Sequence, residues 1–252
     1  MLKKLFGSKP VVPESPRVPA DTRVYVIGDI HGRIDLLHQI HAQIRQDAAT
    51  AREPRKVVVY LGDYVDRGDS SCQVIDLLLG GPLAGFEPVY LSGNHEEMML
   101  GFLDASALGA MWLHNGGDAT LFSYGVSISS GSNADQRYIE MHRALREKVP
   151  ERHLTFLRGL RPYHVEGNYL FVHAGIRPGV PVDEQSSQDL LWIREEFLYS
   201  KEDHGHCVVH GHTIVSEPEF RANRIGIDTG AYFSNRLTCL VLEGADQRTL
   251  HT

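Results

Sequence analysis

The chain has 252 residues, 42% of them hydrophobic and 23% charged, with a net charge of −7. This is enough for one large domain with a substantial core, and the acidic balance without a dense basic patch excludes a nucleic-acid binder. Three cysteines (Cys72, Cys207, Cys239) without metal-type spacing exclude a disulfide framework, and no apolar run is long enough to span a membrane.

Met1-Leu-Lys-Lys-Leu-Phe6 is basic but runs into Gly7-Ser-Lys-Pro10 instead of the apolar core of a secretory signal, so a cytoplasmic location is expected. Pro10, Pro13, Pro16 and Pro19 predict an extended, mobile tail over residues 1–20, followed by one domain over 21–246 and a short tail at 247–252. Arg23-Val-Tyr-Val-Ile27 reads as a first strand ending in Gly28-Asp-Ile-His-Gly32. Leu37, Ile40, Ile44 and Ala48 then fall at helical spacing and predict a helix over 34–51. Val57-Val-Val-Tyr60 is a second strand, delivering Leu61-Gly-Asp-Tyr-Val-Asp-Arg-Gly68. A helix through Val74, Ile75, Leu78 and Leu79 stops at Gly80-Gly-Pro82. Pro88-Val-Tyr-Leu-Ser92 is a third strand, delivering Gly93-Asn-His-Glu96. Strand–helix–strand–helix–strand is the signature of a parallel sheet, whose ligand sites form at the strands' carboxyl ends.

The middle of the chain, 97–165, predicts a helical cap or insertion. Glu96 to Leu108, 135–148 and 151–160 read as helical, with loops at Gly116-Gly117 and at 125–133. In the last third, Tyr169-Leu-Phe-Val172 delivers His173-Ala-Gly175, and Cys207-Val-Val209 delivers His210-Gly-His-Thr213. Arg224-Ile-Gly-Ile227 and Leu237-Thr-Cys-Leu-Val-Leu242 read as two further strands with Asp228-Thr-Gly-Ala231 between them. Short connections here predict a second, mixed or antiparallel sheet packed on the first.

The polar residues gathered at strand ends are Asp29, His31, Asp63, Asp66, Asn94, His95, His173 and His212. Hard oxygen and imidazole donors in this mixture suit Mn, Fe or Zn. There are enough for two ions if one carboxylate bridges, an arrangement that can clamp an in-line phosphoryl displacement. His31 to Asp63 is 32 residues and Asp63 to Asn94 is 31, each one strand–helix–strand unit. Taken alone, Asp63 and Asp66 would read as turn residues. His210 reads as a neighbour of the site at best, and His38, His41, His142, His153 and His251 as solvated. Asn115 reads as a turn residue, Trp112 and Trp192 as core, and Arg177 as either a surface residue or a phosphate contact.

Gly28-Asp-Ile-His-Gly32, Gly62-Asp-Tyr-Val-Asp-Arg-Gly68, Gly93-Asn-His-Glu96, His173-Ala-Gly175 and Gly211-His-Thr213, in this order, closely resemble the PPP-type metallophosphatases within the calcineurin-like metallophosphoesterases. The resemblance spans roughly residues 23–242. It implies an α/β (α+β) fold of two packed mixed sheets flanked by helices, with the helical insertion in the middle. By position it also implies that Asp29 and His31 bind a first ion, that Asp63 bridges, and that Asn94, His173 and His212 complete a second. His95 would protonate the leaving oxygen, Asp66 would orient that imidazole, and Arg67 would grip the phosphate oxygens. Metal-bound hydroxide would attack directly, without a phosphoenzyme. Arg194, in Leu190-Leu-Trp-Ile-Arg-Glu195, resembles the second phosphate-binding arginine of bacterial and phage members. Ser92 stands where eukaryotic enzymes have arginine, and Gly-His-Thr replaces Ala-His-Gln, so the chain resembles the bacterial branch. The implied cofactor is a pair of divalent ions, manganese first, with iron or zinc as options. The implied substrate is a phosphoprotein carrying phosphoserine or phosphothreonine, with phosphotyrosine as a further option. Hydrolysis of dinucleoside polyphosphates or cyclic nucleotides is the alternative on the same site, although the symmetrical tetraphosphatases usually carry glutamine where His31 stands.

Overall fold

The computed structural model describes residues 15–127 and 133–252. Its centre is two five-stranded mixed sheets packed face to face. The first runs in the order β10-β9-β1-β2-β3. Strands β1 (Thr22–Ile27), β2 (Arg55–Tyr60) and β3 (Glu87–Tyr90) are parallel, and β9 (Thr238–Glu243) and β10 (Asp246–His251) join antiparallel beside β1. The second has the order β4-β5-β6-β8-β7. Its parallel core is β5 (Tyr169–Val172), β6 (Cys207–His210) and β8 (Arg224–Gly226), edged by antiparallel β4 (Tyr163–Glu166) and β7 (Glu219–Phe220).

Period-2 alternation divides the apolar residues among three cores. Val24, Val26, Val57 and Val59 face Tyr169, Phe171, Val209 and Ile225 between the sheets. The other face of the first sheet, with Tyr25, Ile27, Val58 and Tyr60, packs on helices α1 (Ile34–Ala48) and α2 (Ser71–Leu79) and on the insertion. Leu170, Val172 and Val208 pack on α8 (Ser187–Trp192) and α9 (Glu195–Leu198). The insertion comprises α3 (Asn94–Asp104), α4 (Gly109–Trp112), α5 (Asp118–Ser123), α6 (Ala134–Lys148) and α7 (Glu151–Arg158).

Five expectations differ from the structure. The strand at 237–242 is not in the second sheet: as β9 it pairs with β1. It can do so because both its faces are apolar, Leu240 and Leu242 entering the inter-sheet core while Cys239 and Val241 enter the helix-side core. Residues 247–252 form no tail. They continue a hairpin through Gly244, at φ 55°, and pair with β9 as an edge strand whose polar side chains gave no core signal. Of the tail expected over 1–20, residues 1–14 lie outside the described residues. Residues 15–20 are held, with Val18 buried, its N–H donating to the Gly244 carbonyl, and Asn168 N–H donating to Arg17. Gly116-Gly117 is no open loop but part of a wide helical turn, Leu113–Gly117, between α4 and α5. The loop expected over 125–133 falls partly on 128–132, outside the described residues. His41 and His153 are buried, not solvated: His41 Nε2 meets Tyr60 Oη at 2.9 Å, and His153 bridges Tyr124 and Asp76.

Candidate metal and phosphoester site

The carboxyl ends of β1, β2, β5 and β6 converge on one edge of the sandwich, each continuing into a tight polar turn. His31, Asp63, Asp66, Arg67 and His212 all have φ between 47° and 70°. That left-handed backbone costs a non-glycine residue about 1 kcal/mol or more, so the surroundings must hold it. For the β2 turn the holder is Glu96, fully buried at the start of α3. Its Oε2 accepts the N–H groups of Asp63 (2.8 Å) and Gly93 (2.9 Å), and its Oε1 those of Tyr64 (2.7 Å) and Val65 (3.2 Å). Burial and the Asp63 charge push the Glu96 carboxyl up, while the N–H donors oppose this. Close approach also demands glycine: a Cβ on Gly93 would lie 2.1 Å from Asp63 Oδ1, and one on Gly211 would lie 2.0 Å from Asp29 Oδ1.

Asp63 is the hub. Its Oδ2 lies 3.5 Å from His31 Nε2 and 3.9 Å from His95 Nε2, and its Oδ1 lies 3.5 Å from His173 Nε2. Asn94 Oδ1 lies 2.8 Å from His173 Nε2 and 3.0 Å from His212 Nδ1. Asp29 Oδ2 accepts the His212 backbone N–H at 3.0 Å. Two groups of buried side chains offer ligand atoms close together: His31, Asp63 and His95, and Asp63, His173 and His212, with Asp63 common to both.

The donor set fits divalent cations. His31 Nδ1 faces the Val65 carbonyl (3.0 Å) and His173 Nδ1 the Leu61 carbonyl (2.9 Å), which assigns the proton to Nδ1 in each ring. Their Nε2 lone pairs are therefore directed toward carboxylate and amide oxygens, an arrangement of acceptors against acceptors that a cation resolves. Asp29 Oδ1 and His212 Nε2 are buried without any hydrogen-bond partner among the described residues. Burial pulls His31 down to about 3 and lowers His173 and His212 as well, keeping the imidazoles in their ligating neutral form. Burial would raise Asp63, but the surrounding imidazoles hold it below the usual carboxylate range. Asp29 is pushed well up by burial and by the charges of Asp228 and Asp63.

Beside this centre, His95 Nδ1 meets Asp66 Oδ2 at 2.7 Å. Burial disfavours the imidazolium, but the charges of Asp63 and Asp66 and the hydrogen bond to Asp66 together raise it. The Asp66 carboxylate also accepts Trp112 Nε1–H at 3.0 and 2.9 Å and the Thr120 hydroxyl at 2.7 Å. Arg67 Nη2 lies 3.3 Å from His95 Nε2, and its guanidinium sits 4.6 Å over the Tyr232 ring. Arg194, between α8 and α9, donates to Thr213 Oγ1 at 3.0 Å and to the His212 carbonyl at 3.4 Å. Both cations thus border the ligand cluster from opposite sheets.

All ten residues selected from the sequence lie on this edge. His210 turns away, its Nε2 3.4 Å from Arg224 Nη1 and its ring against Phe197. Arg177 pairs with Asp189 and Glu196, and the Asn115 amide donates to the Met111 carbonyl. Sequence reasoning missed Glu96, Asp228, Trp112, Thr120 and Tyr232. Glu96 closes the motif Gly93-Asn-His-Glu96, whose spacing gives it no role of its own. Asp228, after β8, is buried against Asp29 and pushed up to about 6 by that burial. Its position after a strand was the available signal.

A model of the calcineurin-like phosphoesterase family matches residues 22–232. A bis(5'-nucleosyl)-tetraphosphatase (asymmetrical) of Oceanobacillus iheyensis is 29% identical, over 86% of this chain and 87% of its own. A serine/threonine-protein phosphatase 2 of Salmonella typhimurium is also 29% identical, over 85% of this chain and 90% of its own. Among solved structures, that of a putative diadenosine tetraphosphatase superposes with a TM-score of 0.59 at 20% identity, covering 95% of both chains.

Proposed function

We propose that this chain, which belongs to the calcineurin-like phosphoesterase family and is therefore a hydrolase of phosphoester bonds, acts on phosphoserine and phosphothreonine in proteins as a dinuclear metal-dependent phosphomonoesterase. The observation that carries the substrate class is the 2.7 Å contact between His95 Nδ1 and Asp66 Oδ2. A serine or threonine alkoxide is a poor leaving group and needs a proton as the P–O bond breaks. A nucleotide leaving from a polyphosphate is already a stable anion and needs none. An imidazole whose proton affinity the Asp63 and Asp66 carboxylates raise against the effect of burial, with Nε2 free of a carboxylate contact shorter than 3.9 Å, supports the first kind of chemistry.

In this reading Asp29, His31 and Asp63 hold one divalent ion, and Asp63, Asn94, His173 and His212 hold the second, with manganese the first choice and iron or zinc the options. Bound there, the ions would supply Lewis acidity and neutralise charge on the phosphoryl oxygens. Arg67 and Arg194 bind those oxygens from either side, guanidinium forks suiting the geometry. Tyr232 stacks on Arg67 and holds its plane. His95 gives its Nε2 proton to the departing oxygen and becomes a neutral imidazole, which Asp66 keeps oriented through the remaining Nδ1 proton.

Rates on phosphoserine and phosphothreonine peptides, a bis(5'-nucleosyl) tetraphosphate and a cyclic nucleotide, measured side by side with added manganese, test the reading. The peptides are expected to have the highest kcat/KM. The name of the Oceanobacillus relative favours a second reading, in which this site cleaves a bis(5'-nucleosyl) tetraphosphate. A kcat/KM for the tetraphosphate at least tenfold above every peptide would establish it instead.

A further inference from the structure

The Asp66–His95 pair is held from outside both sheets. Trp112, the last residue of α4, directs its indole N–H onto both oxygens of Asp66, and Thr120, in α5, donates its hydroxyl to Asp66 Oδ1. Thr120 Oγ1 also accepts the Asp66 backbone N–H at 2.8 Å and lies 2.9 Å from Ser71 Oγ. We propose that the helical insertion between β3 and β4 is the positioning element of the proton donor, with Trp112 and Thr120 acting through Asp66. The proposal rests on the assignment of His95 as proton donor given above.

The geometry supports more than packing. Trp112 and Thr120 are both fully buried, and Trp112 lies against Phe102 with ring centroids 5.0 Å apart, a place that an apolar ring would fill as well. Instead, a polar N–H and a hydroxyl are spent on one carboxylate. Among the described residues the carboxylate's hydrogen-bond partners are these two groups and His95, so they fix the plane in which Oδ2 meets Nδ1. Asp66 sits at φ 70°, a left-handed backbone that its surroundings must hold, and Thr120 holds it too by accepting the backbone N–H.

The same segment also braces Arg67. Arg67 N–H donates to the Gly116 carbonyl at 3.0 Å, and Gly116, at φ 95°, packs so closely that a Cβ there would come within 2.8 Å of Arg67 Cγ. A Cβ on Gly117 would lie 2.5 Å from the Trp112 ring. Residues 112–120 therefore set the proton donor and the phosphate-gripping arginine with one rigid turn. If they act by positioning, their loss should matter in proportion to how much the leaving group needs its proton.

The test uses full-length wild type, Trp112→Phe, Thr120→Val and Thr120→Ser with manganese, on substituted phenyl phosphates of graded leaving-group pKa. For the poorest leaving group, Trp112→Phe and Thr120→Val should lower kcat by about tenfold or more. For the best, the loss should stay under about twofold, with KM and bound metal unchanged. Thr120→Ser, which keeps the hydroxyl, should follow wild type. An equal loss across the series, or none, would overturn the proposal. Thr120→Val conserves volume and decides the matter alone should Trp112→Phe misfold. Should wild type hydrolyse no aryl monoester, the functional reading fails and a second readout still judges the positioning role. The downfield Nδ1 proton resonance of His95 in histidine-labelled protein should move in Thr120→Val and stay in Thr120→Ser. An unmoved resonance in Thr120→Val overturns the inference.

Discussion

Asp63 shows how much one residue can be asked to do when its environment is arranged around it. Three imidazoles lie within 3.9 Å of its carboxylate, and Glu96 pins its backbone in a left-handed turn. Asp63→Asn removes the one carboxylate common to both ligand groups, so metal analysis is expected to find at most one tightly held ion; two retained ions would rule out the bridging role. His95→Asn should reduce kcat on a phosphoserine peptide by roughly 10²–10³ and on an aryl phosphate with a good leaving group by much less. Gly211→Ala is a purely steric probe. Its Cβ would land 2.0 Å from Asp29 Oδ1, and the expected outcome is weaker binding of one ion with an unchanged circular dichroism spectrum. These residues were legible because their types and their places after apolar strands state a chemistry. Trp112 and Thr120 were not, because their partner Asp66 is 46 and 54 residues away and nothing in an indole or a hydroxyl announces which carboxylate it will meet.

Elements carry a second kind of constraint. Helix α1 lies on the first sheet through Leu37, Ile40 and Ile44, and His41 is buried among them with its Nε2 on Tyr60 Oη. Burial pulls His41 down to about 4, below the 6.5 of an exposed imidazole. The unfolded chain therefore binds the extra proton between pH 6.5 and 4, and stability must fall as pH drops through that window. The contribution is about 3 kcal/mol, lost in full below pH 4. Denaturant unfolding at pH 7 and pH 4.5 should show a smaller pH dependence in His41→Leu than in wild type. Amphipathic spacing made α1 legible, yet the same spacing could not say whether a histidine on its flank would be covered. Short elements such as β4, β7 and α9 left no period long enough to read.

At the scale of the molecule, the proposed ligand set is divided between two layers: Asp29, His31, Asp63 and Asn94 follow strands of the first sheet, and His173 and His212 follow strands of the second. Ions held by both would staple the sandwich. Chelation should therefore lower the melting temperature by roughly 10 °C, as expected for a ligand present at a thousandfold its Kd, and excess manganese should restore it. Calorimetry with and without chelator measures this. The parallel core of the first sheet was legible from the regular strand–helix repeat, but the place of β9 was not. Its sequence fits any doubly covered position, and only the open flank of β1 decides it. That placement governs how the protein is made. β1 leaves the ribosome well before the strand that pairs with it, which is joined to it at Arg23 and Glu243 and follows 220 residues later. Throughout that interval one edge of the growing sheet stays open, a template for association with other nascent chains. The β9–β10 hairpin seals that edge, so synthesis conditions that favour termination before it should yield insoluble fragments even though the full chain buries β1 completely.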